Sequence, residues 1–343
     1  MNQKDASPLS IVLSVVDPDY PNNIQISDVV KNRYLFNESI KLATMNGLYY
    51  LFVNRLKELN PNLPFLDDKC WGNEEKGYIE FRNTLKLLNS LPDDINYILI
   101  KSCRTIPHVP RDVDIFVCAE NAEDVLKFLE QKGMKYDQKC DGETSLKGDD
   151  LLRIDLYRQI CYFNVNFFEE KFLLESIETS KISGIDCPCL NKNADFLLSL
   201  VHSIFGHGRI SLLDYLYLKS LRCDLDINAC ERYASKNSWG QVFNIILNKF
   251  DEIDKEIYGH EYSARFPYLI DLDFIIECIF QVEGLRRNKL DRPILRLCLN
   301  FERFIELKTN SPIYNLCKSF PPTRKLANYS LSFFRTIRGD VKK

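Results

Sequence analysis

Two short apolar runs most constrain how this chain can fold: Tyr97-Ile-Leu-Ile100 and Asp112-Val-Asp-Ile-Phe-Val117, separated by a turn-rich segment containing Pro107 and Pro110. Both are too short for helices and rich in β-branched and aromatic residues, so each is predicted to be a strand. Side chains alternate faces along a strand, so Asp112 and Asp114 point the same way. Two carboxylates that close repel each other unless a cation lies between them, and Mg²⁺ is the usual occupant. Phosphoryl chemistry of the polymerase type uses such a platform, because metal ions clamp the attacking and leaving oxygens together.

The spacing by itself is not selective. Four Asp-x-Asp triplets occur: Asp17/Asp19, Asp112/Asp114, Asp224/Asp226 and Asp271/Asp273. Asp17/Asp19 brackets Pro18 and reads as a turn. Asp224/Asp226 and Asp271/Asp273 read as helix starts. Asp112/Asp114 alone is entered from an apolar run, across a loop, and continues directly into apolar β-branched and aromatic residues.

Around these runs the pattern is helical. Residues 1–92 form a helical N-terminal segment, with one long amphipathic helix capped by Ser27 and running through Leu56, a break at Asn60-Pro-Asn-Leu-Pro64, and a helix from Glu74 to Leu91. Residues 93–190 form a small mixed α/β domain: strands at 97–101, 112–117, 134–139 and 151–157, a helix at 122–132, and Tyr162 to Asn166 continuing the sheet. Residues 191–343 form a helical C-terminal domain with helices at 194–205, 211–222, 239–258, 274–282, 295–307 and 324–337. Ser211 and Asp214 have the spacing of an acidic capping box. The fold class is therefore α+β.

At 343 residues the chain can bury a large core, and its 45% hydrophobic and 27% charged residues are those of a globular protein. A net charge of −3 gives no global polybasic signal. The twelve cysteines are scattered, several inside apolar periodic runs, and the first ten residues are polar. Reduced thiols in the cytoplasm are expected. Cys187, Cys189, His202 and His207 fit no familiar zinc spacing, and ordinary packing is the expected reading. No run approaches the ~20 apolar residues of a membrane span.

A third acid, Asp155, lies in Leu151-Leu-Arg-Ile-Asp-Leu-Tyr157. An unpaired acid on a buried strand is costly, so Asp155 either faces water or joins a charged site. The order Ile100-Lys-Ser102, a loop to Arg111, Asp112-Val-Asp114 and then Ile154-Asp-Leu156 resembles the nucleotidyltransferase superfamily with a DNA polymerase β-like core. More narrowly it resembles the branch carrying Lys in place of the first Gly of the Gly-Ser turn, with an Arg just before Asp-x-Asp. The resemblance covers residues 95–165, and a weaker helical similarity extends through Leu212-Leu-Asp214 to about 222. It implies a mixed-sheet nucleotidyltransferase-like domain, with Asp112, Asp114 and Asp155 as catalytic and metal-binding residues for two Mg²⁺ ions. Lys101, Ser102 and Arg111 would steady an NTP donor, and the acceptor hydroxyl could belong to protein, RNA or a small molecule. The turn Lys101-Ser-Cys-Arg104 contains no glycine, which removes the close backbone approach to phosphate that glycine allows.

Singly, each of these residues has an ordinary reading. Lys101 can end a strand in water, Arg111 can pair with Asp112 at the surface, Ser102 can cap a turn, and Asp155 can be solvated. Two other functions stay open: a catalytically degenerate scaffold on the same fold, and an RNA-binding protein. The second would use the basic cluster Arg286, Arg287, Lys289, Arg292 and Arg296 with the basic tail.

Overall fold

The structure, a computed structural model, describes residues 7–21, 26–60, 68–92, 95–101, 106–140, 142–162, 165–259, 269 and 272–282. It divides into two units, residues 1–269 and 270–343. In the second unit the described element is one helix, Leu272–Gln281. The expected helices at 295–307 and 324–337, Asp271, and the basic residues from Arg286 onward lie outside the described residues.

The first unit opens with helices α1 (Pro8–Val16), α2 (Ile26–Lys31), α3 (Arg33–Met45), α4 (Tyr49–Leu59) and α5 (Asp68–Leu88). The expected single helix from Ser27 to Leu56 is instead three, and Ser27 lies within α2. Asn32 interrupts it first, because its side chain caps α3 by accepting from the Leu35 amide. Asn46-Gly47 interrupts it again, with Gly47 at φ +71°, where a side chain would be strained. Apolar periodicity runs through both breaks because all three helices bury the same kind of face.

The sheet then forms from β1 (Tyr97–Ile100), β2 (Asp112–Val117), β3 (Lys135–Cys140), β4 (Glu143–Lys147), β5 (Arg153–Tyr157), β8 (Ile177–Ile182) and β9 (Ile185–Leu190), with α6 (Ala122–Gln131) after β2. Its order is β3-β4-β5-β2-β1-β9-β8. β2 is antiparallel to β1 and parallel to β5, and β1 is parallel to β9, so the sheet is mixed. β6 (Cys161–Tyr162) and β7 (Val165–Asn166) make a separate two-stranded ladder rather than extending the main sheet.

The two sheet faces have opposite characters. Val113, Ile115 and Val117 of β2, Ile154 and Leu156 of β5, and Cys187 and Cys189 of β9 turn into one core. Phe81, Leu85 and Leu88 of α5 and Ala122, Val125 and Leu129 of α6 cover that face, each set at helical spacing. Period-two alternation then obliges Asp112 and Asp114 to face the other side.

After the short helix α7 (Glu170–Glu175), a helical region completes this unit: α8 (Lys192–Val201), α9 (Leu212–Arg222), α10 (Ile227–Lys236) and α11 (Gly240–Tyr258). Ser211 and Asp214 form the expected capping box, and Asp226 caps α10 through the Ala229 amide. Distant segments meet here through polar contacts. The Asn46 side chain accepts from the Leu212 amide at 2.8 Å and donates to the Leu42 carbonyl at 3.0 Å. Buried Asp17 accepts from the Tyr258 hydroxyl, and the Asp19 amide donates back to Asp17 in the expected turn. Among the described residues, no helix is long and apolar enough to cross a membrane.

Candidate active site

Strand register assembles the site. β2 and β5 run parallel with Asp112 opposite Arg153 and Asp114 opposite Asp155. All four side chains therefore share the sheet face away from the α5/α6 core. Tyr157, two residues beyond Asp155, and Ser145 of β4, opposite Asp155, lie on that face as well.

Lys101 follows β1 directly and adopts φ +60°, the left-handed region that glycine enters freely and other residues enter at a cost. Lys101 itself thus takes the backbone form expected of glycine at this position. The contacts of Lys101 offset the strain. Its Nζ lies 2.6 Å from Asp114 Oδ1, donates to the Tyr157 hydroxyl at 3.3 Å, and sits 4.4 Å from the Tyr157 ring centroid. Lys101 is a buried ion-pair partner rather than a solvated strand end.

Arg153 forms the second centre. Its Nη2 lies 2.8 Å from Asp112 Oδ2 and 2.8 Å from Asp155 Oδ2, so one nitrogen joins carboxylates on two strands. Asp155 is buried, and its Oδ1 has no hydrogen-bond partner. Three carboxylates against two cations leave the cluster with one net negative charge. Burial raises the Asp155 carboxyl above the usual range, opposed by the Ser145 side chain and by Arg153.

Burial also pushes the Asp114 carboxyl up to about 6 against the pull of Lys101, with Asp112 and Asp155 adding to the rise. This fixes the sign of a pH effect. Between the ordinary 3.8 and about 6, the native chain binds a proton that the unfolded chain has released. Stability is therefore expected to fall as pH rises through that window, by roughly 2–3 kcal/mol. Urea unfolding at pH 4 and pH 7 checks it: Asp114→Asn, which cannot ionise, should flatten the slope.

The remaining expected site residues are placed differently. Arg111 is exposed at the end of the loop, and its charge acts on half-buried Glu74 of α5, where burial raises the carboxyl and Arg111 lowers it. Val109 rests on α5: a Cβ on Gly77 would stand 2.8 Å from Val109 Cγ1. Ser102 and Arg104 lie outside the described residues. Cys187 and Cys189 belong to the apolar core, while His202 Nδ1 lies 2.7 Å from the Tyr162 hydroxyl, so the cysteines and histidines do not form a common site.

Arg153 and Tyr157 were not anticipated as site residues. The signal was present, because Arg153, Asp155 and Tyr157 repeat the spacing of two that singled out Asp112 and Asp114.

Carboxylates suit a divalent ion such as Mg²⁺, and the unsatisfied, buried Asp155 Oδ1 is an acceptor that a cation would satisfy. The donor chemistry fits. Among the described residues, no three His, Cys, Asp or Glu side chains surround one point as metal ligands. Lys101 and Arg153 contact the acids instead.

No family model matches the chain, and no curated protein matches it. Solved structures similar in part include the following two. One is the lincosamide antibiotic adenylyltransferase LnuA bound to lincomycin, with 18% identity and a TM-score of 0.31 over 43% of this chain and 96% of that one. The other is the antibiotic-resistance factor ANT(2'')-Ia, with 9% identity and a TM-score of 0.36 over 53% of this chain and 99% of that one. Both likenesses are low in identity and score, so the functional reading rests on the residues of this chain.

Proposed function

We propose that this chain is a nucleotidyltransferase of the DNA polymerase β-like superfamily, moving a nucleoside monophosphate from an NTP to an acceptor hydroxyl with release of pyrophosphate. One observation carries the reading: Asp112, Asp114 and Asp155 share a sheet face on two adjacent parallel strands, and Lys101 opens the neighbouring loop in a glycine-like conformation. Asp112, Asp114 and Asp155 would bind two Mg²⁺ ions. When bound, these ions supply the positive charge that neutralises the triphosphate and the departing pyrophosphate.

The chain's own residues do the rest. Lys101, fixed by Tyr157, sets a positive charge at the start of the phosphate loop, and Arg111 adds another at its far end. Asp155, whose carboxyl is raised by burial, accepts the proton of the attacking hydroxyl. Ser102 would steady the triphosphate between them. Acceptors of the protein, RNA and small-molecule classes all present the required hydroxyl. Within this reading residues 93–190 form the catalytic domain between the helical segments 1–92 and 191–343, and the protein works in the cytoplasm.

Label transfer tests it. Incubation with α-³²P-NTP, Mg²⁺ and pools of each acceptor class should label acceptor, while γ-³²P-NTP should release labelled pyrophosphate and label no acceptor. Transfer of the γ label would refute the reading, and excess chelator should abolish the α signal.

A second reading, a degenerate scaffold on the same fold, is favoured by the internal cations at all three acids. Calorimetry separates the two: no heat with Mg²⁺ and millimolar NTP supports the scaffold.

A further inference from the structure

We propose that Arg153 is an exchangeable internal counterion, which leaves Asp112 and Asp155 when a divalent cation binds there. This inference rests on the metal-binding role assigned to those acids above.

Three observations carry it. First, the contact is made by one nitrogen. Arginine grips a carboxylate most firmly through two parallel N–H bonds, whereas here Nη2 alone spans oxygens of two different carboxylates. It occupies a bridging position that a small cation shared by both acids would take. Second, the two internal cations differ in their freedom to move. The Arg153 and Asp112 side chains are 37% and 35% exposed, so the guanidinium can swing into water still charged. The Lys101 and Asp114 side chains are only 6% and 12% exposed, and Lys101 is further tied to Tyr157. Third, the charge balance favours exchange. With Arg153 in place the acids keep one uncompensated negative charge, and Asp155 Oδ1 has no partner. A divalent ion replacing the single charge of the guanidinium makes the cluster neutral and offers that oxygen a ligand position.

The site thus has a fixed cation and a movable one. Arg153 keeps the acids together while no metal is bound and competes with metal for them, so it sets the affinity of the site.

Full-length wild type, Arg153→Gln and Arg153→Lys are titrated with Mn²⁺, with binding followed by the loss of free-ion electron paramagnetic resonance signal. Arg153→Gln is expected to bind Mn²⁺ about tenfold more tightly than wild type, to melt at a lower temperature without metal, and to gain more from saturating Mn²⁺. Arg153→Lys, which keeps the charge, should stay within about threefold of wild type. Equal or weaker binding by Arg153→Gln overturns the exchange but leaves the metal site standing. Absence of Mn²⁺ binding in wild type and both variants overturns the exchange and the metal-dependent reading together. A second measurement needs only folded wild type, with the Arg153 Nε signal identified by its loss in Arg153→Lys. Addition of Mg²⁺ should move that signal to the position and fast solvent exchange of a free guanidinium. A signal unmoved at saturating Mg²⁺ overturns the proposal.

Discussion

Replacing Asp112 and Asp114 together by Asn is expected to lower label transfer from α-³²P-NTP by at least about a thousandfold. The charge that two metal ions place on a transferring phosphoryl group is worth several kcal/mol, and each 1.36 kcal/mol is tenfold in rate. In the proposed function neither Asn would carry the charge needed to retain those ions. The double variant also leaves Lys101 without its carboxylate and Arg153 with Asp155 alone. Its far-ultraviolet circular dichroism and melting curve must therefore be measured beside its activity. A folded double variant that transfers label undiminished would remove these acids from the chemistry.

The second large effect is on stability. Lys101→Met is expected to cost about 3–5 kcal/mol at pH 7, because a buried carboxylate then loses its cation. Adding Asp114→Asn should recover much of that loss, since the uncompensated charge disappears. The backbone does not confuse this comparison, because methionine suffers the same left-handed strain as lysine. Lys101→Gly separates the two contributions. It relieves roughly 1 kcal/mol of strain yet loses the ion pair, so it should be more stable than Lys101→Met and less stable than wild type. Urea unfolding of the four proteins measures all of this. A Lys101→Met variant as stable as wild type would mean that the pair contributes nothing net.

What could be read from the sequence follows from how strongly each segment's chemistry specifies its partner face. β2 was legible to the residue, because Val113, Ile115 and Val117 need a core and Asp112 and Asp114 cannot enter one. Counting in twos puts Asp112 and Asp114 on one face of β2, and puts Asp155 on the face of β5 opposite Ile154 and Leu156. That β2 and β5 are neighbours, with Asp114 opposite Asp155, could not be counted, since strand order is set by tertiary packing. The hairpin of β8 and β9 is weakly marked in the sequence for two physical reasons. β8 is a polar edge strand, and Pro188 interrupts the donor pattern of β9. Its turn did carry a signal, the turn-forming dipeptide Ser183-Gly184, and both residues take positive φ, as a two-residue hairpin loop of type I′ requires. Lys101 was recognisable as a departure from glycine, but its burial was not, because lysine ordinarily seeks water. The role of Arg153 depends on its pairing with acids of two strands, which spacing along one strand does not specify.

The bond from the Leu212 amide to Asn46 has a practical consequence for anyone trimming this protein to a shorter fragment. A shortened version lacking residues 1–92 would strand a buried amide at the head of α9 and uncover the apolar side chains around it. Asp17, just after α1 in that leading stretch, would take with it the acceptor for the Tyr258 hydroxyl. The leading helices thus act as a clasp across 166 positions of chain, and excising them invites aggregation rather than a smaller folded protein.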